Sequence, residues 1–187
     1  MSTPANLEHG PERRLRKEGA QSERTQTLSV LVFDLADKQF GLLTLPVLEI
    51  VRAVSIAALP RAPAIVEGVI NYRGEIVPVL DMRSRFALPA RALHPDQHFI
   101  IARANGRLVA LRVDRVHELV SVNREAVESA AVAPGAEYVA GVARLTDGLL
   151  VIHDLEAFLS LDEARVLDSA MARAVDVGET GRRRKRS

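Results

Sequence analysis

Two segments of this chain occur twice, in the same order, and that repetition restricts the fold more than any other feature. "VLEIV" at 47–51 returns as "VHELV" at 116–120, 69 residues on, with Glu49 and Glu118 in the same slot. "GVINYRGEIVPVLD" at 68–81 returns as "GVARLTDGLLVIHD" at 141–154, 73 residues on, each running from a Gly to an Asp. A single pair of this kind among Val-rich strands is chance similarity. Two pairs in order at nearly one offset indicate duplication, and the chain reads as two similar small β-barrels in tandem, with repeat halves at about 28–95 and 96–155.

Local patterning agrees with a mainly β protein. "LSVLVFDLADKQFGLLTL" is two apolar runs around Asp37-Lys38, and "HFIIARANGRLVALRVDRV" is two more around Asn105-Gly106, a pair that tolerates the positive φ of tight hairpin turns. "GVINYRGEIVPVL" folds back at Arg73-Gly74 on the same logic. Pro78 in its second arm cannot donate to a ladder, which places that arm at an edge or a bulge. Helical spacing is confined to the end, in a C-terminal α-helix over about 156–175, where Phe158, Leu159, Val166, Leu167 and Met171 recur at three- and four-residue steps. That helix either braces the barrels or offers its face to a partner, and bracing is the expected role of an amphipathic face.

The copies can be compared position by position. Gly68 and Gly141, Val69 and Val142, and Asp81 and Asp154 are shared, which assigns them to the fold. Arg73 is not shared, since Thr146 stands in its place. A scaffold that needed Arg at this turn would need it twice.

Charge divides the chain in three. The formal net charge is +1, but residues 1–27 and 177–187 hold ten of the 25 basic residues against five of the 24 acidic ones. The remaining middle is net −4, a mildly acidic folded domain over 28–176 between a disordered leader and a disordered basic tail. The absence of Cys excludes disulfides and thiolate metal sites. No run of 18 apolar residues marks a transmembrane helix, and the charged start lacks the apolar stretch of a signal peptide.

Catalytic constellations are missing. The sequence has no G-x-x-x-x-G-K-[ST], G-x-G-x-x-G or G-x-S-x-G and no Cys nucleophile, which removes the common phosphate-cradling and acyl-transfer designs. His94 and His98 have i,i+4 spacing, but Pro95 interrupts any helix presenting both, so they read as loop residues and no metal site is assigned. His153 stands where the other copy has Leu80, on a half-buried strand face, which suits a structural imidazole. Aromatics are 4% of the chain, too few for stacked nucleic-acid bases. "RRRKR" at 182–186 reads as a solvated tail, with phosphate or anionic-surface binding as the alternative.

Four blocks, "FDLADKQFGLLTLPVLEIV", "IAALPRAPAIVEGVINYRGEIVPVLDM", "LVALRVDRVHELVSV" and "YVAGVARLTDGLLVIHDLEAFL", resemble in order the CheW family of chemotaxis coupling proteins. The likeness spans about Leu28 to Val175, and the G-x-x-N-x-R-G-x-I-x-P-x-x-D pattern from Gly68 to Asp81 is its most specific block. The resemblance implies two SH3-like five-stranded β-barrels around a shared core. It also implies an adaptor, with no enzyme activity and no cofactor, coupling membrane chemoreceptors (methyl-accepting chemotaxis proteins) to the CheA histidine kinase and modulating its autophosphorylation. The expected partners are the receptor's cytoplasmic tip and the kinase regulatory domain. The expected location is cytoplasmic, peripheral to the inner membrane through receptor arrays. A coupler of a non-motility pathway, for surface sensing or development, is the alternative.

By the same resemblance Val47 and Gly68 fall in the receptor-contact region, and Glu49 and Arg73 match a carboxylate–guanidinium pair typical of the family. Asn71 and Gly74 belong to the same motif, and Leu59 and Pro60 form an apolar loop expected at a barrel–barrel interface. Pro46 stands where a non-proline is more usual. A planar guanidinium can hold a carboxylate and keep donors for a partner.

Overall fold

The computed structural model describes residues 27–129, 136–145 and 148–184. The expectations for the leader, for Thr146 and for residues 185–187 lie outside them. In chain order the strands are β1 (Thr27–Leu35), β2 (Lys38–Leu43), β3 (Val47–Arg52), β4 (Val66–Tyr72), β5 (Glu75–Leu80), β6 (His98–Ala104), β7 (Arg107–Val113), β8 (Arg115–Asn123), β9 (Val127–Glu128), β10 (Val139–Leu145) and β11 (Gly148–His153). A short helix α1 (Met82–Arg85) follows β5, and a long one, α2 (Leu161–Arg184), follows β11. Turns form where the sequence places them, at Arg73-Gly74 and Asn105-Gly106, while the first hairpin turns one residue early, at Ala36-Asp37.

The strands form two sheets, in the orders β8-β1-β2-β11-β10-β9 and β3-β6-β7-β5-β4. The duplication is present in full detail. Val66 pairs with Leu80 and Gly68 with Val79 across a bulge, and Val139 pairs with His153 and Gly141 with Ile152 across the same bulge, every number raised by 73. The parallel contacts Ile152–Gly41 and Val79–Ala110 match likewise, with the β2 to β7 offset at 69.

The tandem halves expected from sequence are corrected in one respect: the copies exchange their first hairpins. The β1–β2 hairpin lies between β8 and β11, and the β6–β7 hairpin lies between β3 and β5. Barrel one is therefore β3 to β7, and barrel two is β1, β2 and β8 to β11, so no boundary falls at 95/96. The cause is local. Only Thr44 to Pro46 separate β2 from β3 and only Asp114 separates β7 from β8. Neither link holds a Gly or Asn turn pair to reverse the chain beside its own hairpin.

Three apolar clusters result. Val30, Val32, Val122, Ala143, Leu150 and Ile152 fill barrel two, and Ile70, Val77, Val79, Phe99, Ile101 and Ala110 fill barrel one. The largest lies between the barrels, joining Phe33, Leu42, Ile100 and Leu111 from the exchanged hairpins to Leu167 and Ala170 of α2. The helix is thus a brace. Arg85 ties it down through Glu163, Nη2 to Oε2 at 2.7 Å.

Helix bounds differ from the sequence reading. Residues 156–158 form only a single 3-10 turn, and α2 starts at Leu161 behind a capping box. There Glu163 N–H donates to Ser160 Oγ (3.2 Å) and Ser160 N–H donates back to Glu163 Oε2 (2.9 Å). Its far end is Arg184 rather than about 175, because propagation adds a hydrogen bond per residue once the packed turns have formed. Helix α1 was not anticipated, being too short for a periodic signal.

The shared residues have shared tasks. Asp81 and Asp154 each accept a backbone N–H two residues on, from Arg83 at 3.0 Å and Glu156 at 2.9 Å, turning the chain after each final strand. Pro78 is not on an edge: β5 lies between β4 and β7, but its β7 ladder begins only at Val79, so no donor is needed at 78. His94 precedes β6 and His98 opens it, so the latter is a strand residue and not part of a loop.

Candidate functional site

Barrel closure brings β3 to the β4–β5 turn, and Glu49, Tyr72 and Arg73 meet there. Arg73 Nη2 donates to Glu49 Oε2 at 2.7 Å, and the Tyr72 hydroxyl donates to the same oxygen. The Arg73 guanidinium lies over the Tyr72 ring, 5.2 Å from its centroid. The Tyr72 ring itself packs on the interior of barrel one, beside Ile70 two residues earlier on the same face. Its hydrogen bond to the Glu49 carboxylate, with partial burial second, holds the phenol above its usual pKa range.

The turn that presents Arg73 is tightly set. Arg73 and Gly74 both have positive φ, 52° and 90°, the pattern of a type I′ hairpin turn. Asn71 Oδ1 accepts the Gly74 N–H at 2.9 Å and pins it. The β6–β7 hairpin meets the same demand with Asn105-Gly106, at 50° and 78°. Asn enters the left-handed region readily, whereas Arg there costs about 1 kcal/mol. Arg73 therefore occupies a position that local backbone energetics would assign to Asn.

The ion pair does little for the fold. Side-chain exposure is 72% for Arg73 and 37% for Glu49, so the pair contributes less than about 1 kcal/mol. With Glu49 serving as anchor, the guanidinium keeps its other donors facing solvent. The same barrel also exposes apolar residues on the strands concerned, Leu48 and Ile50 on β3 and Ile76 on β5, which alternate with the inward-facing Glu49 and Val77.

The other residues singled out from sequence divide. Val47 is half-buried against the shared core, and Asn71 and Pro60 are exposed. Gly68 is buried, and a Cβ there would lie 2.3 Å from the Ala57 carbonyl oxygen, so this Gly admits the segment at Ala57 that bridges to Val69 and offers no side chain to a partner. Leu59 is corrected: it is 8% exposed and part of the inter-barrel core, so the loop's apolar residue covers its own protein. Pro46 accepts the Arg103 N–H at 2.8 Å at the crossing between barrels. Tyr72 was missed. Its signal was a Tyr, one of two in the chain, at the end of an inward-facing series, where an apolar ring needs a polar exit.

Elsewhere, charged groups serve the scaffold. Asp114, 9% exposed, is held by Arg83, by Arg91 (3.1 Å), by Gln97 (2.8 Å) and by the Ala36 N–H (2.7 Å). Burial opposes its ionisation, but these donors and charges outweigh burial and keep its pKa below the usual range. Among the described residues no cluster of metal-ligating side chains occurs, and no helix is long and apolar enough to cross a membrane.

Comparison with known proteins agrees with this architecture. Residues 29–163 match the family model described as "CheW-like domain". A chemotaxis protein CheW of Treponema pallidum is 30% identical over 149 residues, covering 76% of this chain and 88% of its own. One of Klebsiella aerogenes is 30% identical over 142 residues, covering 74% and 86%. The crystal structure of the scaffolding protein TtCheW from Thermoanaerobacter tengcongensis superposes with a TM-score of 0.68 at 31% identity, covering 74% of this chain and 96% of that one.

Proposed function

The chain belongs to the CheW-like domain family, and from that membership we propose that it is an adaptor coupling chemoreceptors to a CheA-type histidine kinase, acting by binding and without catalysis. The receptor's cytoplasmic tip and the kinase regulatory domain are its partners, and its place is cytoplasmic, reaching the membrane through receptors. The observation that carries the reading is Arg73, held at a backbone position that disfavours it, anchored by a carboxylate and exposed. An exposed guanidinium aimed by a carboxylate and an aromatic ring, with donors left over, suits contact with a protein partner.

The duplication adds a geometric argument. Ile50 and Ile76 in barrel one have exposed counterparts, Leu119 and Leu149, at 65% and 66% exposure in barrel two. Each barrel thus carries an apolar face, which suits pairing with a similar barrel of the kinase. Through such contacts receptor state and kinase binding bias each other reciprocally.

The test is reconstitution of receptor-containing membranes, the cognate kinase and this protein, with kinase autophosphorylation as readout. Recruitment and altered autophosphorylation on adding the protein support the adaptor role. A kinase neither recruited nor changed rejects it.

A further inference from the structure

The two barrels differ at their mouths. In barrel one Glu49 is occupied by Tyr72 and Arg73. In barrel two its counterpart Glu118 is exposed and, among the described residues, has no hydrogen-bond or ion-pair partner. The position of Tyr72 is taken by Leu145, which packs on that barrel's interior but carries no donor. The position of Arg73 is taken by Thr146 in the sequence. Where barrel one is filled, barrel two has a cleft of about 200 Å³ whose lining includes Gln39, His117, Glu118, Val120, Leu145 and Leu149, with His117 turned to Asp34 at 2.7 Å.

We propose that this cleft is a docking site for an arginine side chain of a protein partner, held against Glu118 as Arg73 is held against Glu49. The molecule itself supplies the template, since the same strand position, after the same bulge, carries a carboxylate whose ligand in the other copy is a guanidinium. Val120, Leu145 and Leu149 accept the side chain's methylenes while the carboxylate takes the fork. Exposed Leu149 in the lining favours an arginine that stands beside an apolar residue in the partner. This site is independent of the coupling role proposed above, because an adaptor working through Arg73 alone would not need it.

The probe is N-acetyl-arginine amide, titrated into the full chain while amide shifts are followed by NMR. Saturable shifts at Gln39, Glu118, Val120 and Leu145, with affinity in the millimolar range, are expected. N-acetyl-lysine amide should bind at least about threefold more weakly, lacking the planar fork. Glu118→Gln should weaken the arginine probe by roughly fivefold. Leu145→Tyr should block it by supplying the donor that Tyr72 supplies in barrel one. Glu118 is exposed, so Glu118→Gln carries the test even where Leu145→Tyr does not fold. Absence of saturable shifts, equal response to lysine, or unchanged binding to Glu118→Gln would overturn the proposal.

Discussion

His153 gives this fold a pH dependence that a single substitution should remove. It is 4% exposed, set among Phe40, Phe86 and Phe158, with Nδ1 donating to the Tyr138 carbonyl at 3.1 Å. Burial is the dominant influence and, only partly offset by that carbonyl, takes its pKa down from 6.5 to about 4. In the unfolded chain the imidazole binds a proton near pH 6.5, while in the native state it stays neutral until about pH 4. The unfolded state therefore holds more protons between those values, and native stability falls as the pH is lowered through that window. The group withdraws about 2 kcal/mol between pH 7.5 and 5, approaching about 3 kcal/mol at its limit. His153→Leu installs the residue that the other copy has at Leu80. The variant loses the Tyr138 hydrogen bond, a cost of roughly 1 kcal/mol that is the same at every pH. Urea denaturation of both proteins at pH 7.5 and 5 isolates the effect, since every other ionisable group is common to the two proteins and cancels in the comparison. The stability of His153→Leu relative to the parent should rise by about 2 kcal/mol on going to pH 5. Parallel losses in the two proteins would refute a neutral buried imidazole.

Other expectations follow from the scaffold. Asp114→Asn leaves Arg83 buried without its countercharge and should cost roughly 3–5 kcal/mol by chemical denaturation. Because the Asp114 carboxyl has a depressed pKa, its contribution is present above the ordinary carboxylate range and is lost as pH falls through the folded value, so the variant should show a shallower acid-induced loss than the parent. Gly68→Ala puts a methyl against the Ala57 carbonyl and should lower stability by about 1–3 kcal/mol, read as a lower melting temperature, whereas Gly74→Ala meets open space and strains only the turn. Tyr72→Phe keeps the ring under Arg73 but removes the hydroxyl, so it should leave the melting temperature near the parent's and weaken kinase binding less than Tyr72→Leu, which removes both.

How far the sequence led depended on the range of the signal. The Asn105-Gly106 and Arg73-Gly74 turns were legible because positive φ is demanded locally and these pairs provide it. The duplication was legible down to its offsets, which reappear in the strand registers. The hairpin exchange was not, because a strand's pattern records which face is buried and not which copy supplies its neighbour. Leu59 shows the same limit, since an apolar residue in a loop reads as exposed until the core it covers is known. At the site, comparison of the copies singled out Arg73, and the family resemblance paired it with Glu49. Tyr72 became visible only when barrel closure brought β3 beside the turn.

The central claim is that Arg73 serves binding and not folding. Its direct test is Arg73→Glu in the reconstituted receptor–kinase assembly, with the melting temperature measured on the same preparation. The exposed pair contributes less than about 1 kcal/mol, so the variant should melt within roughly 4 °C of the parent while losing kinase recruitment and control. A variant that unfolds, or one that couples receptor to kinase as well as the parent does, would contradict the account.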